Sequence, residues 1–225
     1  MDCLRKAKLL VFDAYGTLFD VAGAVRRMAP FLKGKDKELA LLWRQKQLEY
    51  TWQRSLRADF ADFEQVTAQA LGWALESLAL DSGDLKAPLM ALYRELEAYP
   101  DARQTLEKLK QTGRQTAILS NGSKAMLAAA VASAGIGPYL DAVLSVDPLR
   151  IYKPHPSVYA LVGAHFAVTP ERVAFVSGNY WDASAGAANG FSAIWINRTK
   201  ALPEPLPGQI KAVIQQLSEL PGLLA

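Results

Sequence analysis

The 225-residue chain is 51% hydrophobic and 21% charged, with a mean hydropathy of +0.04. That balance excludes a disordered polar chain and allows one substantial core, or a core with a smaller companion. A formal charge of +3, from 25 basic and 22 acidic residues, is too small to imply a nucleic-acid partner and at most helps to draw in a small anion. The single cysteine, Cys3, excludes an internal disulfide and a thiolate metal cluster. His155 and His165 lack a neighbouring acidic cluster and read as surface or packing groups, and no Gly-x-Ser-x-Gly elbow is present for a serine hydrolase.

In chain order, Arg5, Lys6 and Lys8 precede a short apolar run, 9–12, that stops at Asp13. The run is too short for a signal peptide or a membrane span, so a cytoplasmic location and no membrane partner are expected. An unbroken apolar run of this length reads as a central parallel strand covered on both faces. Runs of the same kind follow at 116–119, 142–144, 173–176 and 193–196. Helical patterns separate them: 101–110 with Asp101 as cap and Gly113 as stop, then one from Ser123 to near Gly135, then 157–166 with Pro156 in its first turn, then 182–190. This alternation implies α/β architecture, a Rossmann-like, mostly parallel sheet flanked by helices.

The interval 19–99 breaks the rhythm. It shows helical offsets through Leu39, Leu42, Trp43 and Lys46, then through Phe60, Phe63, Val66, Ala70, Leu71 and Leu78. Leu85, Leu89, Leu92 and Leu96 continue them, with Pro88 allowed in an early turn. The expectation is an inserted helical cap domain over 19–99 and a core domain from 1–18 and 100–225. Arg26-Arg27 and the lysines from 33 to 37 read as solvated faces. A stiff proline-rich connector, 202–208, leads into an expected amphipathic helix over 210–220.

Four segments at the carboxyl ends of the strand-like runs carry chemistry. In Phe12-Asp13-Ala14-Tyr15-Gly16-Thr17, Asp13 stands where a buried strand meets a glycine turn, with the Thr17 hydroxyl close in sequence. Leu119-Ser120-Asn121-Gly122 offers a hydroxyl and an amide near a helix start, suited to gripping an oxyanion. Lys153-Pro154 offers an ammonium which, beside Asp13, would keep that carboxylate anionic and nucleophilic. Ser177-Gly178-Asn179-Tyr180-Trp181-Asp182 adds a second carboxylate, available to Lys153, to a water, or as a plain helix cap.

As a set these segments resemble the haloacid dehalogenase superfamily, and more closely its L-2-haloacid dehalogenases, over nearly the whole chain. Leu42-Trp43-Arg44-Gln45-Lys46-Gln47-Leu48-Glu49-Tyr50-Thr51-Trp52 is also similar to the dehalogenase version of the inserted helices. The resemblance implies a catalytic set of Asp13, Thr17, Arg44, Ser120, Lys153, Tyr159, Ser177, Asn179 and Asp182. It implies substrate contacts from Tyr15, Gln45, Leu48, Phe63, Asn121 and Trp181, with Arg44 meeting either the halide or the substrate carboxylate. It also implies a homodimer, as does a surplus of large apolar groups in the insert: Trp43, Trp52, Trp73, Phe60 and Phe63.

Two departures from the superfamily's phosphatases have physical meaning. Tyr15 stands where those enzymes carry the acid that protonates an alkoxide, and halide leaves without a proton. Gly178-Asn179 stands where they carry an acidic ligand for Mg²⁺, so no metal and no cofactor are expected. The expected activity is hydrolysis of short (S)-2-haloalkanoic acids to (R)-2-hydroxyalkanoic acids and halide through an ester of Asp13. The alternatives are a Mg²⁺-dependent small-molecule phosphatase and a non-catalytic scaffold that binds a small acid or a protein.

Overall fold

A computed structural model describes residues 2–224. Its strands are β1 (Leu9–Phe12), β2 (Gln115–Ser120), β3 (Ala142–Ser145), β4 (Val173–Ser177), β5 (Ser192–Ile196) and β6 (Ala212–Ile214). They form one sheet in the order β3-β2-β1-β4-β5-β6, and every neighbouring pair is parallel. β1, β4 and β5 are buried at every position, as unbroken apolar runs covered on both faces must be.

Between β1 and β2 lie α2 (Gly23–Arg27), α3 (Asp36–Leu56), α4 (Phe63–Ser77) and α5 (Ser82–Arg94), after a short N-terminal α1 (Asp2–Arg5). The crossovers are α6 (Ala102–Gln111), α7 (Lys124–Ser133), α8 (Pro156–Phe166) and α9 (Tyr180–Ala188), and α10 (Leu220–Leu224) closes the described chain. The chain leaves β1 for β2 and β3 on one side, then returns to place β4 on the other side of β1. The strand order therefore reverses between β1 and β4, and in open α/β sheets the crevice at that point collects ligand-binding groups.

The five strands expected from the sequence all form. The expected helix over 210–220 does not. Ala212–Ile214 pairs with β5 as an edge strand, followed by a short 3₁₀ turn and α10. Ile214, Leu217 and Leu220 are buried three residues apart, which imitates a helical face although they belong to three different elements. Asp101 does not cap α6 with its side chain; its carboxylate takes Arg198 (3.3 Å) and the Leu217 N–H (2.6 Å) instead. The last crossover helix starts at Tyr180 with Asn179 as N-cap residue, so Asp182 lies inside its first turn. Pro88 falls in the second turn of α5, on an exposed face where the carbonyl freed by its missing N–H meets solvent.

Among the described residues the insert contains no strand, only isolated bridges that tie Phe19 to Tyr15 and to Ala98. Asp62 caps α4 through the Gln65 N–H, and Asp81 caps α5 through the Gly83 N–H. Trp43 and Phe63 are buried, so they are core and not surplus surface. The large apolar groups left outside are Trp52 and Trp73 together with Phe31 (64% exposed), Leu41 (71%) and Leu56 (88%), three positions the sequence reading does not single out.

Candidate active site

Asp13 follows β1 and donates its backbone N–H to Val176 O of β4 (2.9 Å), which places the carboxylate at the switch point of the sheet. Gly16 adopts φ +89, a left-handed conformation open to glycine, and turns the chain back so that Thr17 lies beside Asp13. The Thr17 hydroxyl accepts the Gly178 N–H (2.8 Å) and donates to Oδ2 of Asp13 (2.9 Å). A β-carbon on Gly178 would collide with Gly16 O, so the approach of the two loops requires glycine there.

Oδ2 of Asp13 also accepts from Nδ2 of Asn179 (2.8 Å), while Oδ1 accepts from Nζ of Lys153 (3.2 Å). Lys153 is 1% exposed and donates to Oδ2 of Asp182 as well (2.9 Å). Asp182 is fully buried and further accepts from Tyr159 Oη (2.7 Å) and Ser177 Oγ (3.1 Å). Two carboxylates thus share one ammonium, and charge balance is incomplete by one negative unit. Burial, reinforced by the charge of Asp13, pushes the Asp182 carboxyl up to about 6, although Lys153 and Tyr159 pull the other way. Burial opposes the charge on Lys153, but the two carboxylates outweigh it and hold its ammonium above the ordinary lysine range. Burial and the neighbouring Asp182 push the Tyr159 hydroxyl far up, so it remains a proton donor.

Asn121 accepts the backbone N–H of Lys153 at Oδ1 (2.9 Å) and so positions the lysine from β2. Ser120 is buried at the end of β2, and its hydroxyl accepts the Gly122 N–H (3.0 Å) and makes no hydrogen bond to Asp13. Arg44 reaches from α3 into the core, where Nη2 donates to Tyr15 O (3.2 Å) and to Oδ1 of Asn179 (3.3 Å). The Tyr15 ring stacks on Tyr93 (5.6 Å between centroids) and packs on Phe63 (5.4 Å). Leu48, Gly16, Asn179 and Trp181 line one cleft of about 350 Å³. Trp181 meets Trp52 edge-on (5.6 Å), and Trp52 borders a second cleft of the same volume, almost wholly apolar, above Lys153. The Tyr15 hydroxyl and the Trp181 indole N–H are buried without a partner among the described residues.

Of the residues singled out from sequence, Asp13, Thr17, Lys153, Tyr159, Ser177, Asn179, Asp182 and Arg44 form one connected hydrogen-bond network. Gln45 is not brought into it; it is exposed on α3, while Gln47 is buried under Arg44 and holds Nη1 at 2.7 Å. Gln47 was missed, yet it falls at every fourth residue with Leu39, Trp43 and Thr51, an amide within one buried stripe. The oxygens do not fit a divalent cation beside Asp13. Tyr15 O and Asn179 Oδ1 already face the Arg44 guanidinium, and Asn179 turns its NH₂ toward the carboxylate.

A doubly wound parallel sheet with a buried lysine between two aspartates at its switch point defines a hydrolase of the haloacid dehalogenase-like type. The family model for haloacid dehalogenase-like hydrolases matches residues 7–190, and the chain belongs to that family. It is 47% identical to (S)-2-haloacid dehalogenase 4A of Burkholderia cepacia over 100% of this chain and 96% of that protein. A crystal structure of a dehalogenase with an intermediate complex superposes with a TM-score of 0.96, at 45% identity over 98% of both chains. The L-2-haloacid dehalogenase of Xanthobacter autotrophicus with chloropropionic acid covalently bound gives 0.89, at 39% identity over 97% of this chain and 98% of the other.

Proposed function

We propose that the protein hydrolyses short (S)-2-haloalkanoic acids to (R)-2-hydroxyalkanoic acids and halide through an aspartyl ester. The observation that carries this reading is the asymmetric holding of Asp13. Among the described residues Oδ2 has two donors, Thr17 and Asn179, whereas Oδ1 has only Lys153. The less encumbered Oδ1 attacks C2 opposite the carbon–halogen bond, inverting the centre and expelling halide. The ester carbonyl oxygen is then Oδ2, where the same two donors meet the negative charge that develops when water attacks the carbonyl carbon.

Lys153 pairs with both Asp13 and Asp182 and offsets part of the negative charge of the site. Asp182, raised toward neutral pH, has the proton affinity of a base for the attacking water, with Ser177 and Tyr159 holding it in place. Arg44 offers a guanidinium to the substrate's anionic end or to the departing halide. Leu48 and Trp181 line the cleft that takes the alkyl part, with Tyr15 packed on Phe63 behind it, and the Tyr15 hydroxyl and Trp181 indole N–H, buried without a partner among the described residues, suit an anion. The phosphatase alternative lacks support in the site, which has Tyr15 in place of a carboxylic acid and an amide at residue 179.

Residues 19–99 act in this reading as a cap and 1–18 with 100–225 as the core. In support, the chain crosses between them twice, side by side, where the Tyr99 N–H meets Leu18 O (2.8 Å) and the Asp20 N–H meets Glu97 O (3.0 Å). Exposed Leu41, Trp52 and Leu56 on α3 support pairing of two copies through the cap. No helix of the described residues is long and apolar enough to cross a membrane. The deciding experiment is halide release from (S)-2-chloropropionate in excess EDTA. Release supports the dehalogenase; hydrolysis of a phosphate monoester only after Mg²⁺ is restored would contradict it.

A further inference from the structure

Gln47 makes four polar contacts that no step of the reaction yet uses. It is 1% exposed, one turn along α3 from Arg44, and its Oε1 accepts from Nη1 of Arg44 at 2.7 Å. Its Nε2 donates to Oγ1 of Thr67 on α4 at 2.7 Å and to the Tyr93 hydroxyl on α5 at 3.1 Å, and that hydroxyl lies 3.4 Å from Oε1. Thr67 has already given its own proton to Phe63 O (2.6 Å), so its oxygen has only lone pairs to offer Gln47. This sets the direction of the amide. The NH₂ must face Thr67, and the oxygen is left facing Arg44.

Within the inserted helices Arg44 donates to Gln47 on α3, with the Tyr93 hydroxyl of α5 also facing the guanidinium; its partners in the core are Tyr15 O and Asn179 Oδ1. Asn179 in turn holds Asp13. One line of hydrogen bonds therefore runs from Phe63 O through Thr67, Gln47, Arg44 and Asn179 to the carboxylate. A guanidinium on a four-torsion side chain needs such a fixed acceptor to present one face repeatedly to an anion.

We propose that Gln47, anchored by Thr67, is a positioning residue that sets the orientation of the Arg44 guanidinium toward the substrate's anionic group. The inference rests on the reading that Arg44 faces the substrate. Because Gln47 acts through Arg44, its loss has the kinetic signature of altering Arg44 itself.

The test is steady-state hydrolysis of (S)-2-chloropropionate by the wild type, Gln47→Leu, Thr67→Val, Thr67→Ser, Arg44→Lys and the Gln47→Leu/Arg44→Lys double variant. Gln47→Leu and Thr67→Val are expected to lower kcat/KM about tenfold or more, dividing it between kcat and KM as Arg44→Lys does. Thr67→Ser, which keeps the hydroxyl, is expected to restore the wild-type values. The double variant is expected to match Arg44→Lys alone to within about twofold. Multiplication of the two single losses would overturn the proposal, as would wild-type kinetics for Gln47→Leu. Thr67→Val carries the same test where Gln47→Leu fails to fold. A crystal structure of either variant gives a second readout, independent of turnover. The guanidinium is expected to leave Asn179 Oδ1, and retention of that contact overturns the proposal. A wild type that releases no halide would instead refute the dehalogenase reading, with the crystallographic readout still deciding the role of Gln47.

Discussion

Nδ2 of Asn179 lies 2.8 Å from Oδ2 of Asp13, while Oδ1 of the same amide faces Nη2 of Arg44 at 3.3 Å. One uncharged side chain thus donates to the Asp13 carboxylate and accepts from the guanidinium. Asn179→Asp keeps the shape but removes the donor and brings a third carboxylate to a site that already has Asp13 and Asp182. Halide release from (S)-2-chloropropionate in EDTA should fall by about 100-fold or more, the scale for losing one donor at a developing oxyanion. Unchanged turnover would remove Asn179 from the proposed oxyanion site.

A second expectation concerns pH. Asp182 takes up a proton as pH falls through about 6, so kcat should decline on the acid side of that value. Tyr159 donates to Asp182 Oδ1 at 2.7 Å and stabilises its charged form. Tyr159→Phe removes that donor, and a hydrogen bond to a charged group is worth about 1.5–3 kcal/mol, so the acid limb should move upward by about one unit or more. A pH–rate profile of the variant checks the sign. A limb that stays in place or moves downward would contradict the assignment to Asp182.

Lys153→Met tests the buried ammonium. The substitution leaves two buried carboxylates facing each other, and breaking a buried pair in this way costs about 3–5 kcal/mol. Thermal unfolding should show a large loss in alkaline buffer that shrinks on acidification, beginning above about 6, because the variant lacks the ammonium that holds the Asp182 carboxyl down to that value. In the wild type the raised Lys153 contributes stability that is full below the ordinary lysine value, about 10.4, and is lost as pH rises through its higher folded value. The raised Asp182 acts in the same sense in a lower window: stability falls as pH rises from about 3.9 toward its folded value and is flat beyond it.

Assembly is the fourth expectation. With Leu41 and Leu56 exposed on one helix, sedimentation at micromolar concentration should give a species near twice 24.5 kDa. Replacing both leucines by lysine should return it to the single-chain mass. A wild-type species at the single-chain mass would sink the dimer.

The parallel strands were legible because buried strands at the middle of such a sheet are short apolar runs with no competing period. β6 was not, because at three residues it is too short to display alternation, and its buried Ile214 falls into helical step with Leu217 and Leu220. Asp101 looked like a cap because a helix follows it; that Arg198 would claim its carboxylate depends on contacts made nearly a hundred residues later. The core of the site could be read because its charged groups close strand-like runs whose ends converge in any open α/β sheet. The inserted helices hid more. Gln45 and Gln47 flank one lysine, and only the packing of α3 on α4 decides which of them turns inward.

The most direct measurement is single-turnover hydrolysis of (S)-2-chloropropionate in H₂¹⁸O with enzyme in excess, followed by mass spectrometry of the product and of the peptide containing Asp13. The ester mechanism predicts an unlabelled (R)-lactate from the first turnover and one solvent oxygen in Asp13. Labelled lactate from that first turnover, with Asp13 unlabelled, would mean that water attacks C2 directly and would contradict the account.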